Sequence, residues 1–546
     1  MLQINKRFFL IWFLGGVFSY LILGFLDNFY TSKNEFILIS FVIHSVFTLL
    51  ALLLMKREFQ AKPIDMTIYV ILAVALAIFL VSLINMALMF PELFDPSIYR
   101  IEPELWVQFL LGIVWAFPIS LWIFSLVQRM NLRPTTIISF INDHLSGWLL
   151  ASFFFFVYLL IGSIFNQPIF GYDDIFFDSD SFLWRTRFAT ENYHDLSMRP
   201  VHPFVTIIIR PLIAIISLFL KGNSFYATIV LVSLTGALCT FFVWYFVKYV
   251  TGHSLYATLI ASLFGASSSQ LVFGSLIETY IFLAAVALIF IILLLKDKPQ
   301  YALVITGLTA FGITFLNFGQ TVIAHIIVKR DVKQWIKYGL IVAVLLVPLS
   351  LLNNFIYPDE HPYFWEISSY GQEEKHAFTP NFQRANYLGR VIFLHSIVAP
   401  EPLITKDEIP FLKVWMFQTT LRREPMRIAQ YEGWFASTII YFWLAFMVLG
   451  GVLFLKNLSR RENGFSFAFI LTIAFYFVLH MRYGRDVFLY SANWTYALVL
   501  FLALAWQELS SKRGFQVALL CFILLLLFNN SRLILFMLTA SSQHTR

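Results

Sequence analysis

Uninterrupted apolar stretches of about twenty residues recur along almost the whole chain, and they constrain its fold more than any motif does. A helix needs about 20 apolar residues to cross the hydrocarbon core of a bilayer. Such stretches lie near residues 8–26, 36–55, 67–90, 105–126 and 145–165. More follow near 224–247, 254–273, 275–295, 301–317, 319–331, 338–356, 433–455, 465–480, 487–506 and 515–538. They predict an all-α, polytopic integral membrane protein with about 15 transmembrane segments. The first run is too long and unbroken for a cleavable signal peptide and reads as a retained anchor. Of the 546 residues, 59% are hydrophobic and 13% charged. Soluble domains are roughly 45–50% apolar and 25% charged. That charge deficit excludes a soluble enzyme, a coiled coil, a disordered scaffold and a nucleic-acid partner. Cys239 and Cys521 both sit inside apolar runs, so no disulfide framework is expected.

The net charge of +7 comes from short basic clusters between apolar runs. With Lys6 and Arg7 in the cytoplasm, alternation places Lys56, Arg129, Lys248, Lys296, Lys329, Lys456 and Lys512 there too, each with its neighbouring basic residues. The short outer loops then hold only Lys33, Arg100, Arg482 and Arg485. This bookkeeping requires the apolar run 203–220 not to cross. Arg210 and Pro211 at its centre favour a juxtamembrane or re-entrant helix at the outer face. Two long extracytoplasmic segments result, 166–223 and 357–432. The second has 76 residues, seven of them proline. It includes two runs of amphipathic look, 383–398 and 411–421, expected to lie on the membrane surface and roof a cavity. The domain organisation reads as an N-terminal four-span addition of unassigned role (1–140), a transmembrane core (141–356) with first outer loop 166–223, the second outer loop (357–432), and C-terminal spans (433–546).

Asp173, Asp174, Asp178 and Asp180 fall within eight residues, directly after a span. Closely spaced carboxylates suit two tasks. One serves as general base while its neighbour tunes it. Alternatively the Asp178-x-Asp180 pair holds a divalent cation, Mg or Mn, beside a phosphate. A solvated acidic loop is the bland alternative, but Phe176, Phe177, Phe182 and Trp184 interleave with the acids like a wall near the membrane surface. His202 precedes Pro203 at a helix start, flanked by Arg199 and Arg210. It suits orienting a carboxylate or meeting a phosphate. Glu278 falls three residues inside the expected outer end of span 275–295, where an ionisable group is a functional candidate. Asn317 and Gln320 mark the apex of a hairpin of two half-spans, where polar groups line cavities. Arg482, Arg485 and Asp486 open the span after 480. Helical spacing would put Arg482, Arg485 or Asp486, Leu489 and Asn493 on one side. Arginine's planar fork suits a phosphate, and Asp486 is placed to orient Arg485.

The pattern resembles the GT-C superfamily of membrane glycosyltransferases, which includes protein O-mannosyltransferases and the aminoarabinose transferase of lipid A. The resemblance rests on Asp178-Ser179-Asp180, His202-Pro203-Phe204, the juxtamembrane helix, the multi-span bundle and the second outer loop. Glu278-Thr279-Tyr280 and Gly312 to Asn317 add to it, and it covers about residues 145–540. It implies a transferase moving a sugar from a polyprenyl-phosphate donor to a lipid, glycan or protein acceptor, with inversion. The active site would face outward from a cytoplasmic (plasma) membrane of bacterial type, in contact with membrane lipids. Asp178 or Asp180 would be the base, Asp178 slightly preferred. His202, Arg199, Glu278, Asn317, Arg482 and Arg485 would bind substrate. Metal use stays open at Asp178 and Asp180. The competing readings are a transporter or flippase of a lipid-linked solute, and a surface-polysaccharide polymerase or ligase. A transferase should gather Asp178 or Asp180, Glu278 and Arg482 or Arg485 at one outer cavity.

Overall fold

The computed structural model describes residues 6–55, 63–129, 136–168, 175–189, 200–357, 362–406, 412–419, 426–458 and 464–545. Asp173, Asp174 and Arg199 lie outside the described residues. The chain is a helical bundle. Seven of the described helices are long and apolar enough to cross a membrane, and six apolar helices are shorter. The long ones divide into two populations. Leu145–Phe165 and Ser224–Thr251 bury 67% and 78% of their most apolar windows, whereas Val332–Ile356 buries only 22%. The outer population exposes large apolar side chains, such as Val344 at 72% and Phe355 at 83%. Water does not tolerate such continuous apolar surface, so these faces belong against hydrocarbon.

Most apolar runs became helices with ends close to those expected, as in Leu145–Phe165 and Gly433–Lys456. Three regions differ. The run 254–273 is broken into Ser254–Gly265 and Ser268–Phe273, with Ser267 capping the second piece through Gln270 N–H. The next helix starts at Tyr280 instead of 275, so Glu278 lies in the connection and not inside a span. Over its described residues, 412–419, the run 411–421 is not a surface helix. Leu412–Trp415 pairs antiparallel with Leu403–Lys406, and Phe417–Gln418 with Arg427–Ile428, so a largely helical fold carries two small hairpins. Run 383–398 is helical, as Phe382–Arg390 followed by a π turn over Val391–His395.

Connections sort to two ends of the bundle. One end is basic: Lys329 pairs with Asp297, Arg513 pairs with Asp65, and Lys248 bonds Asp143 O. The other end gathers the long loops. There Asn166 closes helix Leu145–Phe165 by donating to Ser275 O (2.9 Å) and accepting from Ile277 N (2.9 Å). The helix Val205–Phe219 starts at this end, where Phe204 N donates to Gly312 O (3.1 Å). It finishes at the same end, where Tyr30 Oη donates to Phe219 O (2.9 Å) and Lys221 pairs with Glu35 (2.8 Å). The helix therefore lies along the end of the bundle. Val205, Ile209, Ile213 and Ser217, four residues apart, face inward, while Leu218 and Phe219 stay exposed. Gly312 is required at the junction, because a Cβ there would sit 2.1 Å from the Phe204 ring.

This arrangement sets a labelling pattern. In a Cys239→Ala, Cys521→Ser background, single cysteines at exposed Lys221 and Glu374 should react with an impermeant maleimide from one side of sealed cells. Cysteines at Lys298 and Lys333 should require permeabilisation of the same cells, or react alone if the sidedness is reversed. Reaction of Lys221 together with Lys298 would contradict the placement of Val205–Phe219.

Candidate functional site

Asp178 stands on a strained turn. Phe177 has φ +58° and Asp178 φ +61°, two consecutive non-glycine residues in the left-handed region. Such residues cost roughly 1–3 kcal/mol each and persist where the surroundings over-determine them. The surroundings here are specific. Val414 N donates to Ile175 O (2.8 Å) and Phe177 N to Val414 O (2.7 Å), stitching the first long loop to the strand Leu412–Trp415. Phe176 packs edge-on to Phe165, and Phe177 to Phe488. Two residues on, Asp180 N donates to Glu278 Oε1 (2.6 Å), whose other oxygen accepts from Thr279 N (3.1 Å). The Glu278 carboxylate is almost fully buried. It sits where helix Ser181–Ala189 begins.

Arg485 arrives from the loop between Gly464–His480 and Ala492–Ala505. Its fork engages both oxygens of Asp178: Nε donates to Oδ2 (3.3 Å) and Nη2 to Oδ1. Asp178 is 5% exposed and the Arg485 side chain 30%. The Trp415 ring lies 6.0 Å from the guanidinium. The Arg485 loop is not helical, so the one-sided spacing expected for Arg482, Arg485, Leu489 and Asn493 does not form. Gly484 takes φ +96° instead, and a short 3-10 turn covers Val487–Tyr490. Arg482 is exposed, and its carbonyl accepts from Phe378 N (2.7 Å). It is not among the groups that meet Asp178.

Asp486 does not orient Arg485. Its fully buried carboxylate accepts from Met416 N (2.8 Å), Phe417 N (3.2 Å) and Phe488 N (3.0 Å). Burial, reinforced by the nearby Asp178 charge, pushes its pKa up to about 8, against the pull of those three N–H groups. The segment 412–418 thus touches all three parts of the cluster: Val414 holds the Asp178 turn, Trp415 underlies Arg485, and Met416 and Phe417 hold Asp486.

Sequence reasoning missed Arg384. Fully buried, it donates from Nε to His480 O (2.9 Å), and from Nη2 to Tyr483 O (3.0 Å) and Gly484 O (2.8 Å). Its guanidinium lies between the Phe378 and Phe417 rings, 4.4 and 5.4 Å away. Burial lowers its pKa to about 10, which still leaves it charged at neutral pH. Its local signal is slight, one of two arginines, with Arg390, in the amphipathic run 383–398. His202 acts as a brace: Nδ1 donates to Ile313 O (2.6 Å) and the ring meets Trp184 edge-on at 4.8 Å. Asn317 and Gln320 accept from Tyr476 (2.9 Å) and Tyr496 (2.7 Å), inside the bundle. The structure therefore brings together Asp178, Asp180, Glu278 and Arg485, and leaves Arg482, Asn317 and Gln320 apart.

A small cavity of about 10 Å³ adjoins the turn, lined by Phe165, Asn166, Phe176, Ser179, Phe182 and Arg185. A wider cleft of about 450 Å³ opens between the N-terminal helices and the core, against Asn28, Glu92, Asp95, Gln167 and Tyr226. Among the described residues no three His, Cys, Asp or Glu side chains lie together as a metal site would need. No protein-family model matches this chain, nor does any curated protein or solved structure.

Two outcomes follow for the loop that carries Arg485. Arg384→Lys keeps the charge but loses the fork, so at least one carbonyl bond is lost. It should destabilise the protein by about 1–3 kcal/mol, read as a lower Tm. A Tm equal to wild type would show that the fork does not hold this loop. For Asp486, a pKa raised from 3.8 to about 8 means that the folded chain holds the proton more tightly than the unfolded one. Its stabilising contribution is full below about pH 4 and is lost as pH rises through about 8. Asp486→Asn, neutral like the protonated acid, should therefore flatten the fall of Tm from about pH 5 to 8.5. An unchanged slope would contradict the buried, raised carboxyl.

Proposed function

We propose that this protein is a membrane glycosyltransferase that takes its sugar from a polyprenyl-phosphate donor at the extracytoplasmic face. The observation that carries the reading is the Asp178–Arg485 pair on a strained turn, at the end of the bundle where the long loops converge. A lipid-linked donor keeps its phosphate at the membrane surface, and a transferase needs two groups there. One is a carboxylate to take the acceptor's proton, the other a cation to hold the departing phosphate. The opposite end carries Lys248, Lys296, Lys298, Lys329, Arg330, Lys333 and Lys512, which the positive-inside tendency assigns to the cytoplasm. That leaves Asp178 outside. On this reading the shorter and broken helices cross as well as the seven long ones, for about 15 spans.

In this reaction the acceptor oxygen attacks the anomeric carbon from the face opposite the phosphate. Its proton passes to Asp178. The bond from the anomeric carbon to the phosphate oxygen breaks, and that oxygen keeps the electron pair. The departing polyprenyl phosphate is held by Arg485 through its bidentate fork. Glu278 positions the base by fixing Asp180, and His202 braces the next segment. The charge on the phosphate is assigned to Arg485, the cation that the fold brings to the Asp178 turn. A transporter would put its polar groups around a mid-span cavity. Asn317 and Gln320 are instead tied to Tyr476 and Tyr496, which favours the transferase.

The test is turnover. Full-length protein in lipid nanodiscs, given a panel of polyprenyl-phosphate sugars with membrane extract as the acceptor source, should release polyprenyl phosphate from at least one. Asp178→Asn should lower that rate by about 10²–10⁴-fold, and Asp180→Asn by less, because its backbone N–H is what meets Glu278. Release at the wild-type rate from Asp178→Asn would remove it as base. No release from any donor would sink the reading.

A further inference from the structure

We propose that the Asp178–Arg485 pair exchanges partners in every reaction cycle. Arg485 leaves Asp178 for the donor phosphate, and only then is the Asp178 carboxylate open to the acceptor hydroxyl. The inference rests on the glycosyl-transfer reading above and adds an order to it: donor first, acceptor second.

The two members of the pair are unequally fixed. Asp178 is buried on a turn that Ile175, Phe177 and Val414 hold by backbone bonds, with two positive-φ residues in succession. Arg485 is the more exposed member, on a long side chain, and follows Gly484 at φ +96°. Arginine is therefore the member that moves. While its fork covers Oδ1 and Oδ2, an acceptor hydroxyl finds no ready proton acceptor. Opening without a ligand is costly, because it takes the guanidinium's charge away from a carboxylate that is 5% exposed. A phosphate removes that obstacle. It offers the same fork geometry with more charge, so Arg485 changes partner without losing one. The carboxylate left behind is then relieved by taking the acceptor's proton as the glycosidic bond forms and the phosphate leaves with the electron pair. The exchange also keeps the base engaged when no donor is present.

The exchange makes a prediction that a purely structural salt bridge does not. Removing the carboxylate should strengthen phosphate binding, because Asp178 competes for Arg485. In phosphatidylcholine nanodiscs, Asp178→Asn should bind polyprenyl phosphate about tenfold more tightly than wild type, and Arg485→Gln at least tenfold more weakly. Inorganic phosphate and phosphatidylglycerol serve as competitors, and displacement by one and not the other identifies the phosphate source that Arg485 accepts. A second measurement needs no variant. Labelling of Asp178 in the wild-type protein by a hydrophobic carbodiimide, read by mass spectrometry, should rise severalfold when polyprenyl phosphate is added. Simple occlusion would lower it. Equal affinity in wild type and Asp178→Asn, or labelling that falls with ligand, overturns the exchange even if the protein releases polyprenyl phosphate. Tighter binding by Asp178→Asn without release from any sugar donor overturns glycosyl transfer and leaves the exchange standing.

Discussion

A buried carboxylate must find a partner or give up its charge, and Asp178 finds Arg485, 307 positions further along the chain. Much of the loop-rich end of the molecule can be read as the scaffolding of that meeting. On one side the turn at Phe177 and Asp178 is pinned by the strand at Val414 and followed by the Glu278 carboxylate under Asp180. On the other side Arg384 gathers the carbonyls of His480, Tyr483 and Gly484, and Asp486 gathers the N–H groups of Met416, Phe417 and Phe488. These are the two complementary ways of fixing an irregular loop: a cation collects its carbonyls, and a carboxyl collects N–H groups. Both supply partners that the helical ladder does not provide beyond the helix ends.

The second long loop is what couples the two sides. Segment 412–418 contributes backbone bonds to the first loop and to Asp486, and a ring under Arg485. A change in that strand reaches the Asp178 turn and the Arg485 loop together. The central helices supply the fixed frame. Ser224–Thr251 and Leu145–Phe165 are largely buried, and Asn166 at the end of the latter ties down the connection that holds Glu278. The outer helices, apolar on their exposed faces, take up the contact with hydrocarbon.

How much of this was legible in the sequence depended on the range of the interactions. Helix positions followed from local apolar runs, because a helix satisfies its own backbone. The first loop stood out through its four aspartates, and Arg485 through its place in a short outer loop. Their mutual bond was not visible, because nothing local records a contact across 307 positions. The amphipathic look of 411–421 predicts a surface helix, but Leu412–Trp415 and Phe417–Gln418 are strands whose partners at 403–406, 427–428 and 175–177 are all supplied by tertiary structure. Glu278 was read as part of a span because Leu276 and Ile277 extend the apolar run, although the helix itself begins at Tyr280. Nothing local distinguishes Arg384 from Arg390 in the same amphipathic run. Its role exists only because the 480–484 carbonyls come to it.

The convergence of the two long loops is most directly tested by cysteine trapping at Phe176 and Val414, which face each other in a backbone bridge. Paired residues at that spacing suit a disulfide, which needs Cα atoms about 4.4–6.8 Å apart. With Cys239 and Cys521 replaced, Phe176→Cys with Val414→Cys should cross-link under mild oxidation, detected as a linked peptide by mass spectrometry. A control pair, Phe176→Cys with Lys298→Cys at the basic end, should not. Absence of the 176–414 link in folded protein, or equal linking to position 298, would contradict the site as described.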